Sequence, residues 1–245
     1  MDLKQDMQIR LLTYNIQGLP WISIDIDAII EWLFSSSKAD IICLQEVWSA
    51  VHRLRLARAA YRRGWLVYYP DDPLPFRWDC MISGSGLCIL IKPHFIHARP
   101  SFFTSFEVAH GADALVTKGF FEICLLLSGR QIHIVNTHMQ SDITGLPCCR
   151  LNFDRARAEQ EWQIYRALRD RPGLQLIVGD MNTPESLYFH RVDTEKHVTF
   201  PSTGESLDHL LCLSEQQQEF QHIRTEFFDD IRFSDHIPVA FDIRV

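Results

Sequence analysis

The chain has 245 residues, with 24 lysines and arginines against 31 aspartates and glutamates, giving a formal net charge of −7. Its 47% hydrophobic and 22% charged residues exclude a disordered, collagen-like or mucin-like chain. The acidic balance argues against broad capture of nucleic acid, which relies on many contacts between basic side chains and phosphates.

In chain order, a strand is predicted over Gln8–Tyr14, and Ile26, Ile29, Ile30 and Leu33 then recur at helical spacing. An apolar strand, Ile41–Leu44, precedes a basic helix over Ala50–Arg63 and a short strand at Trp65–Tyr69. Gly86–Ile91 and Gly119–Leu127 read as strands, and Gln131–Asn136 continues the second as a hairpin across Ser128–Gly129. His94–His97, after Pro93, reads as surface loop. Asn152–Arg169 is a long polar helix, Leu174–Val178 a buried strand, and Ile237–Val245 alternates apolar and polar residues. The pattern predicts two packed sheets flanked by helices, in one domain over residues 1–245.

No run of about 18 apolar residues suits a bilayer, and the polar start MDLKQDMQIR lacks a secretory core. Seven cysteines, an odd number, with Cys43, Cys88 and Cys124 in apolar runs, suggest free thiols in a reducing compartment. The expected location is cytoplasmic, and the adjacent Cys148 and Cys149 lack the second pair of a zinc site.

The functional signal lies where strands begin and end: Thr13–Tyr14–Asn15, Gln45–Glu46, Asn136–Thr137–His138, Gly179–Asp180–Met181–Asn182, Leu207–Asp208 and Ser234–Asp235–His236. Each alone suits a turn or a cap. Together they supply hard oxygen ligands for Mg²⁺ or Mn²⁺ and imidazoles for proton transfer, the chemistry of metal-assisted attack on phosphorus.

Read in order, TYNIQ, LQEV, NTHMQ, GDMN, SLDHLL and SDHIPV resemble the endonuclease/exonuclease/phosphatase superfamily. The implied fold is a four-layer α/β sandwich (deoxyribonuclease-I-like): two packed, mostly antiparallel sheets flanked by helices. SGSGLCILIK, Lys118–Gly119 before the hairpin, and Gln140 after His138 are similar to the neutral and bacterial sphingomyelinase branch. Trp78–Asp79–Cys80 lacks the arginine of the inositol-phosphatase motif.

The resemblance implies roles. Glu46 with Asn15 would bind the metal ion, and Asp235 would be an accessory carboxylate, structural or near a second cation. His236 would be the general base, Asp208 would orient it, Asp180 and Asn182 would place water and phosphate, and His138 would donate to a phosphoryl oxygen. Lys118 and Gln140 would contact substrate. The implied reaction is Mg²⁺-dependent hydrolysis of sphingomyelin to ceramide and phosphocholine. The expected partner is a phospholipid at a membrane surface, met peripherally by a monomer, with no stable nucleic-acid partner. Trp21, Phe76 and Trp78 are aromatic candidates for a choline headgroup. Phe227–Phe228 and the arginines of the Ala50–Arg63 helix are candidates for touching a membrane; packing and a solvated helix face are the competing readings. A nuclease, or a DNA-end-processing phosphodiesterase, and a catalytically silent binding module are the alternatives.

Overall fold

A computed structural model describes residues 7–70, 84–127, 129–142, 152–193 and 197–245. Phe76, Trp78–Asp79–Cys80, Ser128 and Cys148–Cys149 lie outside the described residues.

Two apolar runs, β1 (Gln8–Asn15) and β2 (Ile41–Gln45), pair in parallel at the centre of one sheet. A parallel pair needs a crossover, and α1 (Ile26–Ser35) supplies it. Asp25 caps the helix by accepting from the Ala28 N–H at 3.0 Å, and Ile26, Ile29, Ile30 and Leu33 form its buried face. Following β2 come α2 (Ala50–Arg62), β3 (Leu66–Tyr68) and β4 (Cys88–Ile91). With β11 (Gln221–Phe227) and β12 (Val239–Arg244), the first sheet runs β11-β12-β1-β2-β4-β3.

The second sheet repeats the plan. Its parallel centre is β7 (Arg130–His138) and β8 (Leu174–Asp180), with α3 (Phe153–Leu168) between them in sequence. Around it are β5 (Ile96–Ser105), β6 (Gly119–Leu127), β9 (His190–Arg191) and β10 (Asp208–Cys212), in the order β5-β6-β7-β8-β10-β9. Every other pairing in both sheets is antiparallel.

Leu11, Ile89, Phe121, Ile134, Val178 and Phe241 are among the residues forming the core between the sheets. The opposite face of the first sheet packs on α1 and α2 through Leu12, Leu44, Ile29 and Leu56. That of the second packs on α3 through Val135, Ile177 and Ile164. These are the expected four layers.

Three strands escape the sequence reading. Ile96 and His97, read as loop, begin β5, which carries register breaks at His97/Arg99 and Arg99/Phe102 and so shows no clean alternation. β9 has two residues, and β11 is an edge strand, largely polar and incompletely buried. Phe228 packs edge-to-face on Trp32 at 5.0 Å, and Phe227 stacks on His197 at 4.0 Å, so both rings are committed to packing.

Candidate active site

Strand register brings the polar strand ends together. Asn15 lies opposite Gln45 at the ends of β1 and β2, His138 opposite Asp180 at the ends of β7 and β8, and Asp208 opposite Asp180. Asp180 Oδ2 is the common neighbour. Asn15 Nδ2 donates to it at 3.0 Å, and Nε2 of His138 and Nε2 of His236 each lie 3.6 Å away. Asn15 Nδ2 also donates to Glu46 Oε1 at 3.2 Å, joining the two carboxylates. On the far side of the imidazole, His236 Nδ1 meets Asp208 Oδ2 at 2.8 Å.

The backbone is bent to make this possible. Among the described residues, four non-glycines have positive φ, and three are here: Gln17 at 51°, Glu46 at 58° and Asn182 at 52°. Such conformations persist where surrounding structure over-determines them, often at functional sites. Asp180 Oδ1 accepts from the Asn182 N–H at 2.9 Å, and Asn182 Nδ2 donates to the Met139 carbonyl at 3.0 Å, so the GDMN turn is locked to the end of β7. Gly179, at φ 147°, sits where a Cβ would collide with the Thr137 carbonyl oxygen.

Burial raises the pKa of Glu46, against Lys118, Asn15 and His236, and that of Asp180, against His236 and Asn15. Burial opposes the charge on His236, but the Asp208 and Asp180 carboxylates outweigh it and push the imidazole up to about 10. Burial and then the Lys118 ammonium hold His138 well below the usual histidine range. Lys118 Nζ donates to His138 Nε2 at 2.9 Å, which leaves Nδ1 to carry the ring proton.

Asn15, Glu46, His138, Asp180, Asn182, Asp208 and His236 are therefore gathered within one network. Lys118 joins it through His138, buried and paired with Asp113 at 2.9 Å. Asp235 stands at its edge: its Oδ2 accepts from Gln17 Nε2 at 2.7 Å, and the Gln17 N–H donates to Asn15 Oδ1 at 3.0 Å. Gln140 is not brought to the cavity. Its Oε1 accepts from the His110 N–H at 2.7 Å, and its Nε2 donates to Asp113, His110 and Ser141 oxygens. Gln45 and Asn136 clamp the sheets together instead, Gln45 Nε2 donating to Asn136 Oδ1 at 2.7 Å.

Gln17 and Asp113 are absent from the sequence reading. Gln17 lies inside TYNIQ and Asp113 five residues before Lys118, but neither follows a strand directly, the position that marks the other site residues.

The cluster floors a cavity of about 560 Å³. Leu19, Trp21, Trp48, Leu115, Val116 and Phe200 supply apolar wall, and the Phe200 ring lies 4.7 Å from that of His236. The charged lining is acidic apart from Lys118 and the imidazoles.

The donor set fits a hard divalent cation. Asp180, buried, and Glu46, half-buried, are two carboxylates sharing one neutral amide donor, an arrangement with excess negative charge. Asp180, Asp208 and His236 offer ligand atoms within 4.8 Å of one another. Asp208 Oδ1 is buried with no hydrogen-bond partner among the described residues.

Comparisons with known proteins agree with this architecture. The Drosophila melanogaster protein named "Putative neutral sphingomyelinase" is 28% identical over 184 residues, 72% of this chain and 39% of that one. The chain thus spans about two-fifths of that relative's length. Sphingomyelinase C from Streptomyces griseocarneus superposes with a TM-score of 0.69 at 19% identity, covering 96% of this chain and 99% of that one. TDP2 from D. rerio, complexed with a single-strand DNA product, gives 0.74 at 13% identity over 98% and 100% of the two chains. A profile described as "Endonuclease/Exonuclease/phosphatase family" matches residues 12–236. The chain belongs to the endonuclease/exonuclease/phosphatase family.

Proposed function

We propose that the chain is a divalent-metal-dependent phosphodiesterase, one catalytic unit over residues 1–245, that hydrolyses a sphingomyelin-like phospholipid to ceramide and phosphocholine. The observation that carries this reading is the pair His236 and Asp180 lining a cavity with apolar walls, with Asp208 bonded behind the imidazole. Apolar walls suit a substrate whose leaving group is largely hydrocarbon, and an acidic lining opposes a polyphosphate backbone. Cytoplasmic residence and action as a monomer are parts of the same proposal.

Glu46 and Asn15 would hold Mg²⁺ or Mn²⁺, with Asp180 facing them and Asp235 at the rim. Here Asn15 offers its amide nitrogen to Glu46, so ligation through Oδ1 requires the amide to turn over. The bound cation supplies positive charge for the phosphoryl oxygens.

His236 takes the proton of the attacking water at Nε2, while Asp208 fixes Nδ1–H and stabilises the imidazolium that forms. A histidine held near 10 is a poor base at neutral pH. Charge neutralisation at Asp180, one of the three carboxylates that raise it, returns it towards neutrality. Asn182 and Asp180 orient water and phosphate from the locked turn. His138, accepting from Lys118 at Nε2, holds that ammonium where it meets charge developing on a non-bridging oxygen; donation by His138 itself requires its ring to turn over.

The test is a substrate panel, with Mg²⁺ or with EDTA: sphingomyelin vesicles, lysophospholipid, plasmid DNA and a soluble aryl phosphodiester. Metal-dependent phosphocholine release that disappears in His236→Ala is the expected result. Plasmid nicking without lipid turnover assigns the site to nucleic acid and overturns the lipid reading. Turnover of none of the four leaves a binding module and overturns the enzymatic one.

A further inference from the structure

The outer face of α2 is built unlike the rest of this acidic protein. Its sequence, AVHRLRLARAAYR, contains four arginines and a histidine and no carboxylate. Leu56 and Ala60 point into the fold. At 100° per residue, Val51, Leu54, Arg55, Arg58, Tyr61 and Arg62 share an opposite arc of about 120°, and all six are exposed. Tyr61 retains 83% of its surface in water.

Among the described residues, two of the arginines have no anionic partner. Arg55 pairs with Asp27 at 3.1 Å, a contact between exposed side chains that adds little. Arg58 and Arg62 pair with no carboxylate among the described residues. Aliphatic side chains, a tyrosine and unpaired guanidinium groups thus alternate along one solvated face.

The N-terminus of α2 adjoins the cavity. Trp48, which lines it, precedes the helix by two residues. The Ser49 N–H donates to the Gly18 carbonyl at 3.2 Å, tying the segment with Leu19 and Trp21 to the first helical turn. Trp21 lines the cavity and is 65% exposed.

We propose that the outer face of α2 is the surface by which this protein docks on an anionic phospholipid bilayer. Arginines meet lipid phosphates while Val51, Leu54 and Tyr61 enter the headgroup boundary, and Trp21 continues the contact towards the cavity mouth. Charge complementarity selects this occupant: the chain's net charge of −7 would repel an anionic surface in other orientations. The proposal extends the functional reading above, since it places a phospholipid-cleaving site against its bilayer.

The experiment is co-sedimentation of the full chain with substrate-free vesicles, phosphatidylcholine alone or mixed with phosphatidylserine, at low and high salt. The wild type should bind the mixed vesicles, bind the neutral ones much more weakly, and lose affinity as salt rises. Each basic residue at such a surface contributes roughly fivefold in partitioning, so R58Q/R62Q should bind about 25-fold more weakly. Its thermal unfolding and its turnover of the soluble aryl phosphodiester should match the wild type. Equal binding to both vesicle types, no binding, or undiminished binding by R58Q/R62Q overturns the proposal. Arginine-dependent binding of a duplex oligonucleotide without vesicle binding assigns the face to nucleic acid and overturns it too. Vesicle binding by a protein that cleaves no phosphodiester would refute the catalytic reading alone.

Discussion

Replacing Asp208 with asparagine keeps the shape of the site while removing the charge bonded to His236 Nδ1. Asp208, Asp180 and Asp235 together lift that imidazole from 6.5 to about 10 against the opposing effect of burial. At 1.36 kcal/mol per pH unit the rise, net of burial, corresponds to ~5 kcal/mol; Asp208, which adds both its charge and a hydrogen bond, accounts for roughly half, ~2–3 kcal/mol. The folded-state pKa is raised, so the stabilisation is fully present below the unfolded value of about 6.5 and is lost as pH rises through about 10. Metal-free Asp208→Asn should therefore be less stable than the wild type by ~2–3 kcal/mol near pH 6, a gap that closes towards pH 10. Urea unfolding in EDTA at pH 6, 8 and 10 measures it. A gap that is constant with pH, or that widens, would refute the electrostatic reasoning.

Glu46→Gln should shift the Mg²⁺ dependence of turnover about tenfold or more upwards, because a carboxylate ligand is lost, while leaving the metal-free protein no less stable, since it relieves the crowding of a half-buried carboxylate against the buried Asp180; an unchanged metal titration refutes the ligand role. Lys118→Met leaves the buried Asp113 carboxylate without its counter-charge, held only by hydrogen bonds from Gln140 and Ser141, and should cost about 3 kcal/mol in chemical unfolding; a loss below about 1 kcal/mol would show that the ion pair matters little. Gly179→Ala forces a Cβ against the Thr137 carbonyl and should destabilise by about 3 kcal/mol or more, read as loss of soluble protein or a large drop in Tm. Gln140→Ala should lower Tm with KM for the soluble aryl phosphodiester unchanged, because its amide serves the chain around Asp113; a selective rise in KM would place Gln140 in contact with substrate.

Much of the fold was legible because the buried strands are short apolar runs closed by polar residues. Ile41–Leu44 and Leu174–Val178 mark β2 and β8 without tertiary information, and capped helices separate each from its parallel partner. β5 was not legible because its register breaks twice, and β11 because an edge strand can remain polar on both faces. In the site, strand ends located Asn15, Glu46, His138 and Asp180, since parallel neighbours finish at one edge of a sheet. The same signal overreached at Gln45 and Asn136, whose amides join the sheets rather than reach the cavity. It passed over Gln17 and Asp113, whose parts depend on partners distant in sequence.

Diffraction from crystals containing Mn²⁺, with anomalous scattering used to locate the ion, tests most directly the claim that these strand ends form a divalent-metal centre facing an imidazole base. The ion should lie in direct contact with a Glu46 carboxylate oxygen, at about 2.1 Å as for comparable hard cations, with His236 across the cavity and still bonded to Asp208. Manganese bound directly to His236, or found only away from the cavity, would contradict it.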